Sequence, residues 1–187
     1  MLKEKVVVYK NDEKKITFED GDSYDRMMGV WSQLLGEQFI TWLNPSSGQS
    51  WIDIGCGTGL LSELLQGNFE YTGIDISSKI LDYAAKRGYQ TIHRSIETAL
   101  PEIEDNSYDF VFCLGSLLFI EDVKTAVEHI YRVARQAILI SLDETTEEYI
   151  KKFAVPVYNH SKITVKNAIE DYFILGFTSS TTGISIR

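Results

Sequence analysis

The stretch Trp51-Ile-Asp-Ile-Gly-Cys-Gly-Thr-Gly-Leu60 sets a short apolar run directly before three glycines at alternate positions. The run reads as a buried strand. Gly55, Gly57 and Gly59 read as a turn whose backbone can lie against a ligand where any side chain would clash. A dinucleotide fingerprint, G-x-G-x-x-G, needs glycine where the chain has Leu60, and no Gly-Lys-Ser/Thr follows to make a P-loop. A pyrophosphate cradle is therefore disfavoured. Asp75 lies 20 residues after Gly55, the separation at which a carboxylate closing the next strand accepts hydrogen bonds from a ribose diol. The competing reading is that Asp75 only caps the helix beginning near Ser77.

Outward from the turn, strand and helix signals alternate. Tyr71–Ile74, Tyr89–His93, Tyr108–Cys113 and Ala137–Leu142 read as strands, and residues 60–66, 77–87 and 122–134 as helices. This order predicts an α/β fold with a doubly wound, mostly parallel sheet, in which ligands sit beyond the carboxyl ends of the strands. Upstream, Lys5–Lys10 and Lys15–Phe18 predict a hairpin, and residues 23–43 a helical cap in two pieces. Downstream come a helix near Thr145–Phe153, a break at Pro156, a helix over Thr164–Leu175 and a terminal strand.

Composition narrows the partners. The 187 residues are 44% hydrophobic and 24% charged, with a net charge of −9. Such an acidic chain repels phosphate backbones and anionic surfaces, so no nucleic-acid or membrane partner is expected. The most apolar stretch, Phe110–Ile120, is about half a membrane span. The first residues lack a signal-peptide core, and Cys56 and Cys113 stand far apart. That spacing excludes a disulfide scaffold and a zinc knuckle and fits a cytoplasmic location. The three histidines are isolated, so no metal site is expected.

Four motifs in order resemble class I S-adenosylmethionine-dependent methyltransferases, in the small-molecule, type 11-like branch. Residues 51–60 resemble the first motif and Tyr71-Thr-Gly-Ile-Asp-Ile-Ser77 the second. Arg94–Pro101 resembles the adenine-contacting segment and Tyr108–Cys113 the fourth strand. The resemblance covers about residues 23–142, and Asp22–Trp31 resembles the branch's cap helix. It implies a Rossmann-like domain over 1–187: hairpin and cap over 1–45, cofactor-binding core over 46–142, and C-terminal helices with a shortened edge over 143–187.

The implied cofactor is S-adenosylmethionine, and the implied reaction is methyl transfer to a small-molecule acceptor by proximity-driven displacement. By the resemblance, the backbone of Gly55, Cys56 and Gly57 lines the methionine moiety and Asp53 supports its ammonium group. Asp75 holds the ribose hydroxyls, and Ile76 packs on adenine. Ser95 stands where the family usually has an acid at the adenine amino group, the Ile96 N–H meets an adenine nitrogen, and the Cys113 carbonyl faces the methionine. Tyr24 and Arg26 lie on the cap, with Arg26 directed to the cofactor carboxylate.

The family's frequent His-His pair after the fourth strand is Leu118-Phe119 here, so no catalytic base is assigned. Candidate acceptor-side groups are His160, Asp143 and Glu144. His129 reads as solvent-facing, His93 as a buried strand end, and Glu147-Glu148 as a solvated helix face. Two other functions are open: a non-catalytic S-adenosylmethionine or S-adenosylhomocysteine binder, and a nicotinamide-dependent oxidoreductase, against which Leu60 argues. Ten residues follow Phe177, enough for one strand and a turn. A sheet of about six main strands is therefore expected, with an irregular edge beside the fifth strand that invites a homodimer.

Overall fold

The computed structural model describes residue 25, residues 36–64, 68–141 and 146–160, residue 165, and residues 173–177 and 182–186. The expected hairpin, Tyr24, Arg26, Asp143 and Glu144 lie outside the described residues. Residues 36–43 form helix α1. There follow β1 (Ser50–Ile54), α2 (Leu61–Leu64), β2 (Glu70–Asp75), α3 (Ser78–Lys86), β3 (Gln90–His93) and α4 (Ile96–Ala99). A 3-10 turn at Leu100–Glu102 leads to β4 (Tyr108–Cys113), and a second at Leu117–Phe119 precedes α5 (Val123–Val133). The chain closes with β5 (Ala134–Ser141), α6 (Glu147–Ile150), β6 (Phe173–Phe177) and β7 (Thr182–Ile186).

The strands form one sheet in the order β3-β2-β1-β4-β5-β7-β6. β1 to β5 run parallel, while β7 is antiparallel to both β5 and β6. The doubly wound, mostly parallel class is as expected. Its order reverses between β1 and β4, which places the ligand crevice at their carboxyl ends.

Pleating sends alternate side chains of each strand to opposite faces. Trp51, Phe110, Phe112 and Leu139 pack on one face with Phe39 and Leu61. The Trp51 ring centre lies 4.3 Å from that of Phe110, and Phe39 meets Phe112 edge-on at 5.1 Å. Ile52, Ile54, Val111 and Ile138 pack on the other face beneath Val123, Val127 and Ile130 of α5. Asp122 caps α5 by accepting from the Thr125 N–H at 3.1 Å.

The expected C-terminal edge is corrected. Among the described residues seven strands are present, and the last two pair antiparallel and cover β5. Phe173-Ile-Leu175, assigned from sequence to the end of a helix, opens strand β6 instead. A short apolar run of aromatic and branched residues fits either structure, and pairing with β7 decides for the strand. The unpaired edge that motivated a homodimer is therefore filled by β7 from the same chain.

Candidate functional site

At the carboxyl end of β1 the chain turns sharply. Gly55, Gly57 and Gly59 have φ of 69°, 54° and 78°, the left-handed region that favours glycine. Space is as restrictive as torsion. A Cβ at Gly55 would lie 2.0 Å from the Ser116 hydroxyl oxygen, and one at Gly59 would lie 2.9 Å from the Tyr89 ring and 3.1 Å from the Ala84 backbone. Ser116 donates to the Gly55 carbonyl at 3.3 Å, and the Gly115 N–H donates to the Ser141 hydroxyl at 2.6 Å. The ends of β1, β4 and β5 are thereby joined around one crevice.

Two carboxylates flank the turn. Asp75, the last residue of β2, accepts from the Gly57 N–H at 3.0 Å and from the Ser77 N–H at 2.9 Å. The capping reading of Asp75 is met at the entry to α3, and the same carboxylate also holds the glycine turn. A carboxylate has about four acceptor positions, and two hydrogen bonds leave two for a diol. Burial raises the Asp75 pKa against the opposing pull of these backbone donors. Asp53 is only 9% exposed and accepts from the Tyr89 hydroxyl at 3.3 Å. Burial pushes its carboxyl up to about 7; the Tyr89 hydrogen bond lowers it and the Asp75 charge adds to the rise.

Ile76 is 70% exposed, an apolar side chain left uncovered directly after the carboxylate. Ser95 precedes α4, and its hydroxyl lies 3.1 Å from that of Thr98. Ile96 is the first residue of α4, where helix geometry leaves the N–H without an intrahelical acceptor. Cys113 ends β4 and is fully buried. Cys56 is also buried, and burial with the nearby Asp53 and Asp75 charges holds its thiol far above the usual range. Sequence reading missed Ser116, Tyr89 and Arg87, drawn to the turn from distant positions, and Ser141, which holds Gly115 after β4.

In the segment following β4, the Leu118 carbonyl accepts from the Tyr158 N–H at 2.7 Å. His160 Nε2 lies 2.7 Å from the Ile120 carbonyl. A carbonyl only accepts, so Nε2 carries the hydrogen and the neutral ring has its lone pair on Nδ1. His160 is thus brought to the segment following β4. His129 instead accepts from Arg132 on its own helix at 3.0 Å. His93 is corrected: it is exposed, because β3 is an edge strand, and its Nε2 donates to the Ile76 carbonyl at 3.0 Å. Glu147 and Glu148 are exposed as expected. Among the described residues no helix is long and apolar enough to cross a membrane, and no three His, Cys, Asp or Glu are grouped to hold a metal.

Comparison with known proteins agrees with this geometry. Residues 52–140 match the family model described as a methyltransferase domain. The chain is 29% identical over 104 residues to a ubiquinone biosynthesis O-methyltransferase of Methylococcus capsulatus, covering 52% of this chain and 44% of that protein. It is 28% identical over 143 residues to a demethylmenaquinone methyltransferase of Anoxybacillus flavithermus, covering 67% and 59%. The chain spans about half the length of these curated relatives. In fold it is similar to the magnesium protoporphyrin IX methyltransferase of Synechocystis PCC 6803, crystallised with bound S-adenosylhomocysteine. The TM-score is 0.70 at 22% identity, with 89% of this chain and 93% of that chain covered. A glycine turn, an acid closing the next strand and a matching fold thus converge on residues 52–140, the stretch that matches the methyltransferase-domain model.

Proposed function

We propose that this chain binds S-adenosylmethionine at the glycine turn and transfers its methyl group to a small-molecule acceptor. The observation that carries the reading is the juxtaposition of a turn that excludes Cβ atoms, the Asp75 carboxylate bonded to it, and the exposed Ile76 beside it. These residues suit a nucleoside. Gly55, Cys56 and Gly57 offer backbone to the methionine part, Asp53 supports its ammonium group, and Asp75 takes the ribose hydroxyls. Ile76, Ser95 and Ile96 take the adenine, with the Cys113 carbonyl at the methionine end and Tyr24 and Arg26 as further cofactor contacts.

When bound, S-adenosylmethionine supplies a methyl group activated by its sulfonium. The chain's own contribution is chiefly to orient two reactants and exclude water, which can supply most of a displacement's acceleration. His160, with its lone pair on Nδ1, is the described histidine best placed to take a proton from the acceptor. A net charge of −9 favours a small acceptor over nucleic acid. Two buried free cysteines suit a cytoplasmic setting.

A second reading, binding without transfer, is favoured by one observation. The segment after β4 presents Leu118 and Phe119, and Leu118 is buried. The deciding experiment incubates the protein with S-adenosylmethionine and a panel of phenolic, amine and thiol metabolites. Acceptor-dependent release of S-adenosylhomocysteine supports transfer, and tight binding with no turnover across the panel supports the second reading. Absence of binding to either nucleoside defeats both.

A further inference from the structure

The glycine turn is held from two sides, and the second side has no role in the reading above. Thr58 lies between Gly57 and Gly59, both in the left-handed region, and is 1% exposed. Its hydroxyl donates to Oδ1 of Asp25, a residue 33 positions earlier in the chain. Its carbonyl accepts from Arg87 Nη1 at 2.8 Å. The same guanidinium reaches Asp25 Oδ2 through Nη2 at 3.1 Å and Glu63 through Nε at 2.6 Å. One arginine at the end of α3 therefore ties Asp25, the middle of the turn and α2 together.

We infer that Arg87 and Asp25 are positioning residues for the nucleoside site, pinning Thr58 so that the turn is already in its binding conformation before ligand arrives. The inference rests on the proposed reading of that site. Its physical basis is the flexibility on either side of Thr58. Each glycine has more backbone freedom than any other residue, so an unpinned Gly-Thr-Gly segment samples many conformations. Ordering it on binding costs affinity, and ordering it beforehand removes that cost. Asp75 fixes Gly57 through its N–H. The Arg87–Asp25 pair fixes Thr58 through its hydroxyl and its carbonyl, with charge-assisted bonds whose planar fork a lysine lacks. Because Asp25 lies in the N-terminal part of the chain, this junction also makes that part a contributor to nucleoside affinity without requiring it to touch the ligand.

The test measures S-adenosylhomocysteine affinity by calorimetry on the full chain. The proteins are the parent, Asp25→Asn, Arg87→Gln, the double variant and Arg87→Lys, with unfolding temperatures of the ligand-free proteins alongside. Asp25→Asn is nearly isosteric and guards against misfolding of the arginine variants. Each single variant is expected to weaken binding about tenfold, the equivalent of one charged hydrogen bond. The double variant should match the singles rather than multiply them, and Arg87→Lys should recover only part of the loss. Parental affinity in both single variants, or losses that multiply in the double, overturns the inference. If Asp75→Ala loses affinity while those variants keep it, the site reading survives and the positioning role does not. If the parent itself fails to bind, both fall.

Discussion

Tyr89 donates a hydrogen bond to Asp53 at 3.3 Å beneath the glycine turn, and both side chains are buried. The Tyr89 ring also stacks on Tyr71 at 5.2 Å and fills the space a Cβ at Gly59 or Gly73 would need. A phenol that supports the turn sterically thus also tunes the acid at its start. Burial holds Asp53 at about 7, above the ordinary carboxylate value, so the folded chain keeps this proton more tightly than the unfolded chain. The stability contributed by Asp53 is then fully present below the unfolded value near 4 and is lost as pH rises through about 7. Asp53→Asn, which carries no such charge, should gain on the parent between pH 5 and pH 8. The expected gain is at least about 1 kcal/mol, roughly 2–4 °C for a chain this size. Thermal unfolding of both proteins at the two pH values checks this, and a constant difference between them would contradict it.

The same acid predicts a pH dependence of nucleoside binding. If Asp53 is charged when it faces the ligand's ammonium group, each binding event below about pH 7 must release its proton. Affinity for S-adenosylhomocysteine should rise with pH, by up to about tenfold per unit, and level off above 7. The Asp53→Asn profile should lack this rise. Calorimetry in two buffers of different ionisation enthalpy reads the released proton directly.

Asp75 accepts two backbone hydrogen bonds and has capacity for two more. Asp75→Ala removes all of them and should weaken S-adenosylhomocysteine binding at least about tenfold. Asp75→Asn keeps one carbonyl oxygen and should lose less. Equal affinity in a folded Asp75→Ala protein would remove the residue from the site.

Gly55→Ala introduces two costs that can be separated. One is the collision with Ser116, whose Oγ and Cβ lie 2.0 and 2.6 Å from the added carbon. The other is a φ of 69°, which costs roughly 1–2 kcal/mol for a residue with a Cβ. The variant should lose both stability and nucleoside affinity. Ser116→Gly removes the collision together with the Ser116 hydroxyl's hydrogen bond to the Gly55 carbonyl, so in denaturant unfolding Gly55→Ala should cost less in the Ser116→Gly background than in the parent, and never nothing.

β7 lies between β5 and β6, so a proline inside it breaks an interior ladder. Ser185→Pro removes a ladder hydrogen bond and should destabilise the fold by about 1–3 kcal/mol, the cost of leaving its buried partner unsatisfied, visible as a drop in unfolding temperature. Sedimentation of the parent and variant separates this from disruption of a dimer edge: the loss should appear in a protein whose mass in solution is unchanged.

The sequence alone determined what depends on neighbours along the chain. Ile52, Ile54, Val111 and Ile138 lie on short apolar runs, so the strands were legible, and Val123, Val127 and Ile130 marked the core face of α5. The glycines at 55, 57 and 59 and the acid at 75 carried the turn and its partner, because torsion and spacing are local properties. What only the tertiary structure decided was which distant groups close on that turn. Asp25, Ser116 and the Arg87–Tyr89 connection reach it from three separate segments, and no periodicity or spacing encodes such an approach. Phe173–Leu175, read from sequence as the end of a helix, is a strand for the same reason: an apolar triplet satisfies either element until a partner supplies its hydrogen bonds. The charge state of Asp53 belongs to the same class: a carboxyl is ordinary in sequence and becomes a near-neutral-pH group only when the fold removes its water.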